Sequence, residues 1–170
     1  AWRAGGAGTP GRWREVRLEA GKVTLLGEGI GFDFGGIGKG YAADEALRVL
    51  REHGFGRAMV AVSGDIALGD APAGRKGWRV GLGSAARVEE LANRGVSTSG
   101  DAHQARGGES HILDGRTGEA RKARAGWVTV VAGSAMEADA LATAIRAMGK
   151  EEAEKRLLPR ADTRVIIEGF

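Results

Sequence analysis

In the stretch EADALAT, Asp139 and Thr143 stand four residues apart within a helical apolar pattern, which puts a carboxylate and a hydroxyl on one helix face. Two oxygen donors so placed suit a hard cation such as Mg2+. The helix dipole alone also explains an Asp near a helix N-terminus, so the pair by itself leaves both readings open. A second chemical signature is the glycine cluster GEGIGFDFGGIGKG, residues 27–40, directly ahead of another helical pattern. Bare backbone N–H groups and a helix N-terminus together attract a phosphate. Two phosphate motifs fit it poorly. A Walker A loop would need glycine where Asp33 stands and a hydroxyl where Gly40 stands. Gly38, Gly40 and Ala43 match a dinucleotide fingerprint, but Ala58 occupies the place of its ribose-binding acid and Asp65 comes too late. A glycine turn required only for tight helix packing remains open. The third signature is His111 in SHILD, after a polar, glycine-rich hairpin, with an unperturbed pKa of about 6.5 suited to proton transfer. It reads either as a site residue or as a strand-end histidine. Asp114 and Thr117 in LDGRTG read as stabilisers of their own turn.

These groups need a scaffold that brings loops against helices. Val16–Leu18 and Val23–Leu26 alternate around Gly21-Lys22 and predict a hairpin. Ala43, Ala46, Leu47 and Leu50 predict a helix from Tyr41 to His53, with Gly54 as its left-handed stop. RAMVAVSGD predicts a buried strand ending in a turn that carries Asp65, and GWRVGLG a strand with Trp78, Val80 and Leu82 on one face. GVSTSGD, the hairpin around SHILD and the strand GWVTVVAG follow. Ser134 to Glu137 forms a capping box for a second helix whose predicted stripe is Met136, Ala140, Leu141, Ala144, Ile145 and Met148. A short helix from Glu151 to Leu158 and the strand TRVIIEG close the chain, with no internal repeat and no long linker.

A chain of 170 residues has the length of one domain with a real core. Its 25 basic and 22 acidic residues alternate in sign and form no basic block, which argues against nucleic acid as a partner. Without cysteine there is no disulfide framework, thiolate nucleophile or Cys-ligated zinc site. No apolar run has the length of a membrane span, and the N-terminus lacks the apolar region of a signal peptide. The thirty glycines follow no period and punctuate element ends.

DFGGIGKGYAADEA, VSTSGD, SHILDGRTGE and EADALAT, in this order, resemble the flavin transferases of the ApbE family, the FAD:protein FMN transferases. The resemblance runs from Trp2 to the final strand, and four motifs agreeing in order and spacing make it specific. It implies an α+β fold, an antiparallel or mixed sheet with two main helices packed on it, ApbE-like and related to the tunnelling fold. It also implies one domain over residues 1–170 that lacks the family's N-terminal portion, so that a missing half or a homo-oligomer would complete the cleft.

The implied reaction is Mg2+-dependent transfer of FMN from FAD to a Thr or Ser hydroxyl of an acceptor flavoprotein, with release of AMP. The family's Mg2+ positions correspond to Asp139, Thr143 and the backbone carbonyl of Gly38. Its flavin-binding positions correspond to Gly38, Lys39, Asp44, Asp65, Thr98, Ser99 and His111. His111, the only histidine within a family motif, is the candidate base for the acceptor hydroxyl. Asp44 has a second explanation, as a charge favouring a helix N-terminus. Members of the family are periplasmic, membrane-anchored or cytoplasmic, which leaves the compartment open. Two other activities share these residues: FAD binding without turnover, and Mg2+-dependent hydrolysis of FAD to FMN and AMP. The sequence departs from the family in VSGD for GGD, in DGRTG for DPRTG, and in a shorter hairpin with Ala102, His103 and Gln104 where aromatic residues are common.

Overall fold

Period-two alternation decides how the central layer of this protein is built. The computed structural model describes residues 12–83, 87–100, 109–114, 117, 119–122 and 125–169. A 3-10 turn at Arg12–Glu15 leads into the hairpin β1 (Val16–Glu19) and β2 (Lys22–Leu25). Helix α1 (Gly38–Glu52) is followed by β3 (Met59–Val62), β4 (Asp65–Leu68), β5 (Trp78–Leu82), β6 (Arg87–Leu91) and β7 (Arg94–Gly100). Then come β8 (Glu109–Leu113), β9 (Ala120–Lys122), β10 (Trp127–Ala132), α2 (Ala135–Met148), α3 (Lys150–Arg156) and β11 (Arg164–Glu168). Five strands form one sheet in the order β11-β10-β7-β4-β3, and every pairing in it is antiparallel. This is the expected α+β architecture.

Residues opposite one another in an antiparallel ladder share a face, so the register divides the core in two. Val130 faces Ser97, Gly95 faces both Ala132 and Ala67, and Ala67 faces Val60. On that face Val128, Val130 and Ala132 pack against Ala138, Leu141, Ala142 and Ile145 of α2, while Ala67 and Val60 pack against Ala43 and Leu47 of α1. The opposite face carries Leu68, Val96 and Val131, which pack against Val80 and Leu82 of the β5–β6 hairpin. As expected, Trp78, Val80 and Leu82 share the inward side of β5.

Several expectations shift. Glu19 pairs with Lys22, so the first hairpin turns at Ala20-Gly21, because Gly21 takes the left-handed position at φ 72°. Helix α1 starts at Gly38, three residues before Tyr41, and Ala46 on it is exposed. RAMVAVSGD is not a buried strand: β3 is the sheet edge with Met59 exposed, and Asp65 opens the next strand, β4, which is the buried one. The buried residues of α2 are Ala135, Ala138, Leu141, Ala142 and Ile145 together with Asp139 and Arg146, whereas Met136 is exposed. Small side chains face inward because α2 approaches α1 and β7 at backbone distance, leaving no room for Met136. Ser134 caps α2 as expected, its Oγ accepting from Glu137 N at 3.1 Å, while the Glu137 carboxylate takes Arg160 at 3.2 Å. Among the described residues no helix is long and apolar enough to cross a membrane.

Candidate functional site

The helix-facing side of the sheet ends in a polar row beside the N-terminus of α1. Asp65 opens β4, and the β4–β7 register brings it next to Ser97, whose Oγ donates to Asp65 Oδ1. Both are essentially excluded from solvent, at 1% exposure each. Two residues along β7, on the same face, Ser99 Oγ lies 3.3 Å from Thr143 Oγ1 of α2. The first turn of α1 covers this row. Lys39 Nζ bonds Asp65 Oδ2 and lies 3.6 Å from Asp139 Oδ1, while Gly40 N donates to Asp139 Oδ2 at 3.1 Å. Two glycines permit the approach. A Cβ at Gly40 would stand 2.3 Å from the carbonyl oxygen of Ala135, and one at Gly36 would stand 2.7 Å from Thr143 Cγ2.

The electrostatics follow from burial. Asp139 is 2% exposed, and loss of solvation pushes its carboxyl above the ordinary aspartate value, with the charge of Asp65 acting in the same direction. The Gly40 N–H and the Lys39 ammonium oppose that shift in part. For Lys39, burial works against the charged form, yet the hydrogen bond and charge of Asp65, aided by Asp139, hold its ammonium above the usual lysine value. The junction therefore holds two buried carboxylates around one half-exposed cation.

Of the residues singled out in the sequence, Gly38, Lys39, Asp65, Ser99, Asp139 and Thr143 converge here. Thr98 does not, because adjacent strand residues point to opposite faces; its hydroxyl pairs with Thr129 at 2.9 Å on the other side of the sheet. Asp44 accepts from the backbone of α2, Oδ1 from Ala135 N at 2.9 Å and Oδ2 from Met136 N at 2.8 Å. His111 stands within β8, not at a strand end, and its side chain lies outside the described residues. In the turn after β8, Thr117 Oγ1 accepts from Glu119 N at 3.3 Å, in keeping with a local structural role. Ala102, His103 and Gln104 lie outside the described residues. Sequence reasoning missed Ser97 and the packing role of Gly36; period-two alternation would have paired Ser97 with Ser99 and set Thr98 apart.

The donor set suits a hard cation. Asp139 is a buried carboxylate whose Oδ1 meets Lys39 only beyond hydrogen-bond distance, Thr143 adds a hydroxyl, and Gly38 begins the turn whose Gly40 N–H meets Asp139. Among the described residues no group of three or more His, Asp or Glu side chains gathers, so a cation here would rely on hydroxyl and backbone oxygens beside one carboxylate.

Known proteins resemble this chain in sequence and in fold. A FAD:protein FMN transferase from Klebsiella pneumoniae is 30% identical over 134 residues, covering 72% of this chain and 38% of that protein. Another from Treponema pallidum is 32% identical over 166 residues, covering 82% of this chain and 46% of that protein. The flavin transferase ApbE of Vibrio cholerae matches the fold with a TM-score of 0.70 at 26% identity, over 91% of this chain and 56% of that one. The ApbE protein of Thermotoga maritima gives 0.72 at 28% identity, over 91% and 54%. The chain thus spans 38% to 46% of the length of these two curated relatives. The ApbE family model matches residues 7–167, all four motifs included, and this chain belongs to the ApbE family.

Proposed function

We propose that this chain carries the Mg2+ and pyrophosphate site of a FAD:protein FMN transferase, which moves FMN from FAD to a Thr or Ser hydroxyl of an acceptor flavoprotein and releases AMP. The observation that carries this reading is the junction of Lys39, Asp65 and Asp139 at the glycine-lined start of α1, beside Thr143. Phosphoryl transfer asks chiefly for positioning and charge neutralisation, and a buried carboxylate, a lysine and the glycine-lined start of a helix suit both. The acceptor oxygen forms a bond to the FMN-side phosphorus, the bond to the AMP oxygen breaks, and the hydroxyl proton passes to a base, for which His111 is our candidate. Asp139, Thr143 and the Gly38 carbonyl would hold Mg2+, whose charge would stabilise the pyrophosphate oxygens as the bond breaks. Lys39, held by Asp65, whose other oxygen accepts from Ser97, keeps a positive charge at the mouth of this cluster. The rest of the flavin cleft we assign to the part of these relatives' length that this chain does not span.

The test is a fluorescence titration of the purified chain with FAD, with and without Mg2+, followed by chromatography of the nucleotides and mass measurement of an acceptor flavoprotein. Mg2+-dependent AMP release with FMN mass added to the acceptor supports the transfer. Free FMN formed without any acceptor would replace it with hydrolysis, and bound FAD that stays intact with Mg2+ and acceptor present would reduce it to a binding module.

A further inference from the structure

The two halves of the candidate site lie on different helices, Gly38 to Gly40 on α1 and Asp139 with Thr143 on α2. Something must fix one helix against the other. The capping of α2 shows what does. A helix begins with N–H groups that lack intrahelical acceptors. Ser134 Oγ takes that of Glu137, and Ala138 N reaches Ser134 O at 3.1 Å as the first bond of the helix proper. Ala135 and Met136 remain, and α2 provides for neither. Both donate to Asp44 of α1, one to each carboxylate oxygen, at 2.9 and 2.8 Å. One turn earlier on α1, Gly40 lies against the backbone of the same two residues and donates to Asp139.

We propose that Asp44 is a positioning residue: by capping α2 from α1 it sets the separation and rotation of the two helices, and with them the geometry between Gly38–Lys39 and Asp139–Thr143. The proposal rests on reading that cluster as the Mg2+ and pyrophosphate site. The carboxylate suits the task because its two oxygens accept from two consecutive N–H groups at the positive end of α2, as charge-assisted bonds. An asparagine retains one acceptor, and an alanine none.

The test compares Asp44→Asn, Asp44→Ala and Ser134→Ala in the whole chain. Ser134→Ala weakens the same helix end without touching α1, so it controls for loss of stability alone. The readouts are thermal unfolding, the Mg2+ concentration giving half-maximal FAD turnover, and, without Mg2+ or FAD, the NMR shift and exchange rate of the Gly40 amide. Removing a group that orients metal ligands typically weakens metal binding by about 10- to 100-fold, and we expect that rise in half-saturating Mg2+ for Asp44→Ala. Asp44→Asn should fall between it and the wild type, the Gly40 amide should shift and exchange faster in both, and Ser134→Ala should lower only the melting temperature. Wild-type Mg2+ response and an unmoved Gly40 amide in Asp44→Ala would overturn the proposal, as would equal effects from Ser134→Ala. If Asp44→Ala does not fold, Asp44→Asn decides by the same readouts. If the wild type itself shows no Mg2+-dependent turnover, the functional reading fails, and the Gly40 amide alone decides whether Asp44 positions the helices.

Discussion

Gly40→Ala sets two effects of known size against each other. Gly40 is the third residue of α1 and has ordinary helical geometry, so in an unencumbered helix alanine would gain about 1 kcal/mol in propensity. The added Cβ, however, would lie 2.3 Å from Ala135 O, 2.6 Å from Ala135 C and 2.8 Å from Met136 Cα. All three are backbone atoms of α2, held in place by Asp44 and by the packing of Ala135 among Ala43, Leu47 and Ala67. No rotamer change relieves the clash. Overpacking of a filled interior costs about 1–3 kcal/mol, and a clash with immobile backbone belongs at the upper end. The net loss is then about 2 kcal/mol, or about 4–8 °C in melting temperature for a chain of this size. Gly38→Ala supplies the contrast, because its Cβ would meet only Phe34 Cβ at an unstrained 3.7 Å. Thermal and urea unfolding of both variants should show Gly40→Ala well below the wild type and Gly38→Ala at or slightly above it. If Gly40→Ala proves as stable as the wild type, the helices are not locked at backbone distance, and the argument that glycine is required there for close approach is wrong.

Other outcomes follow from the same geometry. Asp139→Ala should abolish Mg2+-dependent FAD turnover, and retention of wild-type activity by that variant would remove Asp139 from the metal assignment. Lys39→Met leaves the buried Asp65 carboxylate without its cation, with the neutral Ser97 hydroxyl still donating to it; the expected loss is about 2 kcal/mol or more at neutral pH, measured by urea unfolding. Glu89 bridges the β5–β6 hairpin to β11 through Arg164 at 2.5 Å and bonds Arg87 at 2.8 Å. The hydrogen bond from Arg87 leads in holding its carboxyl below the ordinary value of 4.5. A depressed carboxyl pKa gives stability that is present above that value and lost as pH falls below it. The stability difference between wild type and Glu89→Gln should therefore narrow as the pH falls from neutral to about 3, and a constant difference would show that the bridge makes no ionic contribution.

What the sequence disclosed and what it hid divide along sequence separation. Helices α1 and α2, the cap at Ser134 and the inward row of β5 are local features, governed by periods of 3.6 and 2.0 that a linear reading detects. The turn of the first hairpin lies one residue earlier than Gly21-Lys22 suggests, and the edge position of β3 stays hidden because hydrophobicity alone does not distinguish an edge strand from its neighbour. Helical spacing joins Asp139 to Thr143, but only motif resemblance links that pair to Lys39, Asp65 and Ser99, which come from three other elements, and Ser97 escaped both. Thr98 shows how a motif can mislead: it adjoins Ser99 in STSGD, yet the pleat turns it to the other face, where Thr129 satisfies it.

Asp44 marks the limit more sharply. From its own helix it reads as a charge near an N-terminus, and that instinct names the right physics on the wrong helix. Its partners lie 91 and 92 residues away, and no local pattern announces them. The same bond pair explains why the glycine turn, for which simple packing was an open alternative, need not be assigned to packing or to chemistry alone. The backbone contact at Gly40 allows its N–H to reach Asp139, so close packing is the means by which the chemical groups meet. A variant that relaxes that packing should therefore disturb stability and ligand response together, whereas one that removes only the Thr143 hydroxyl, such as Thr143→Val, should weaken the Mg2+ response while leaving α1 seated on α2.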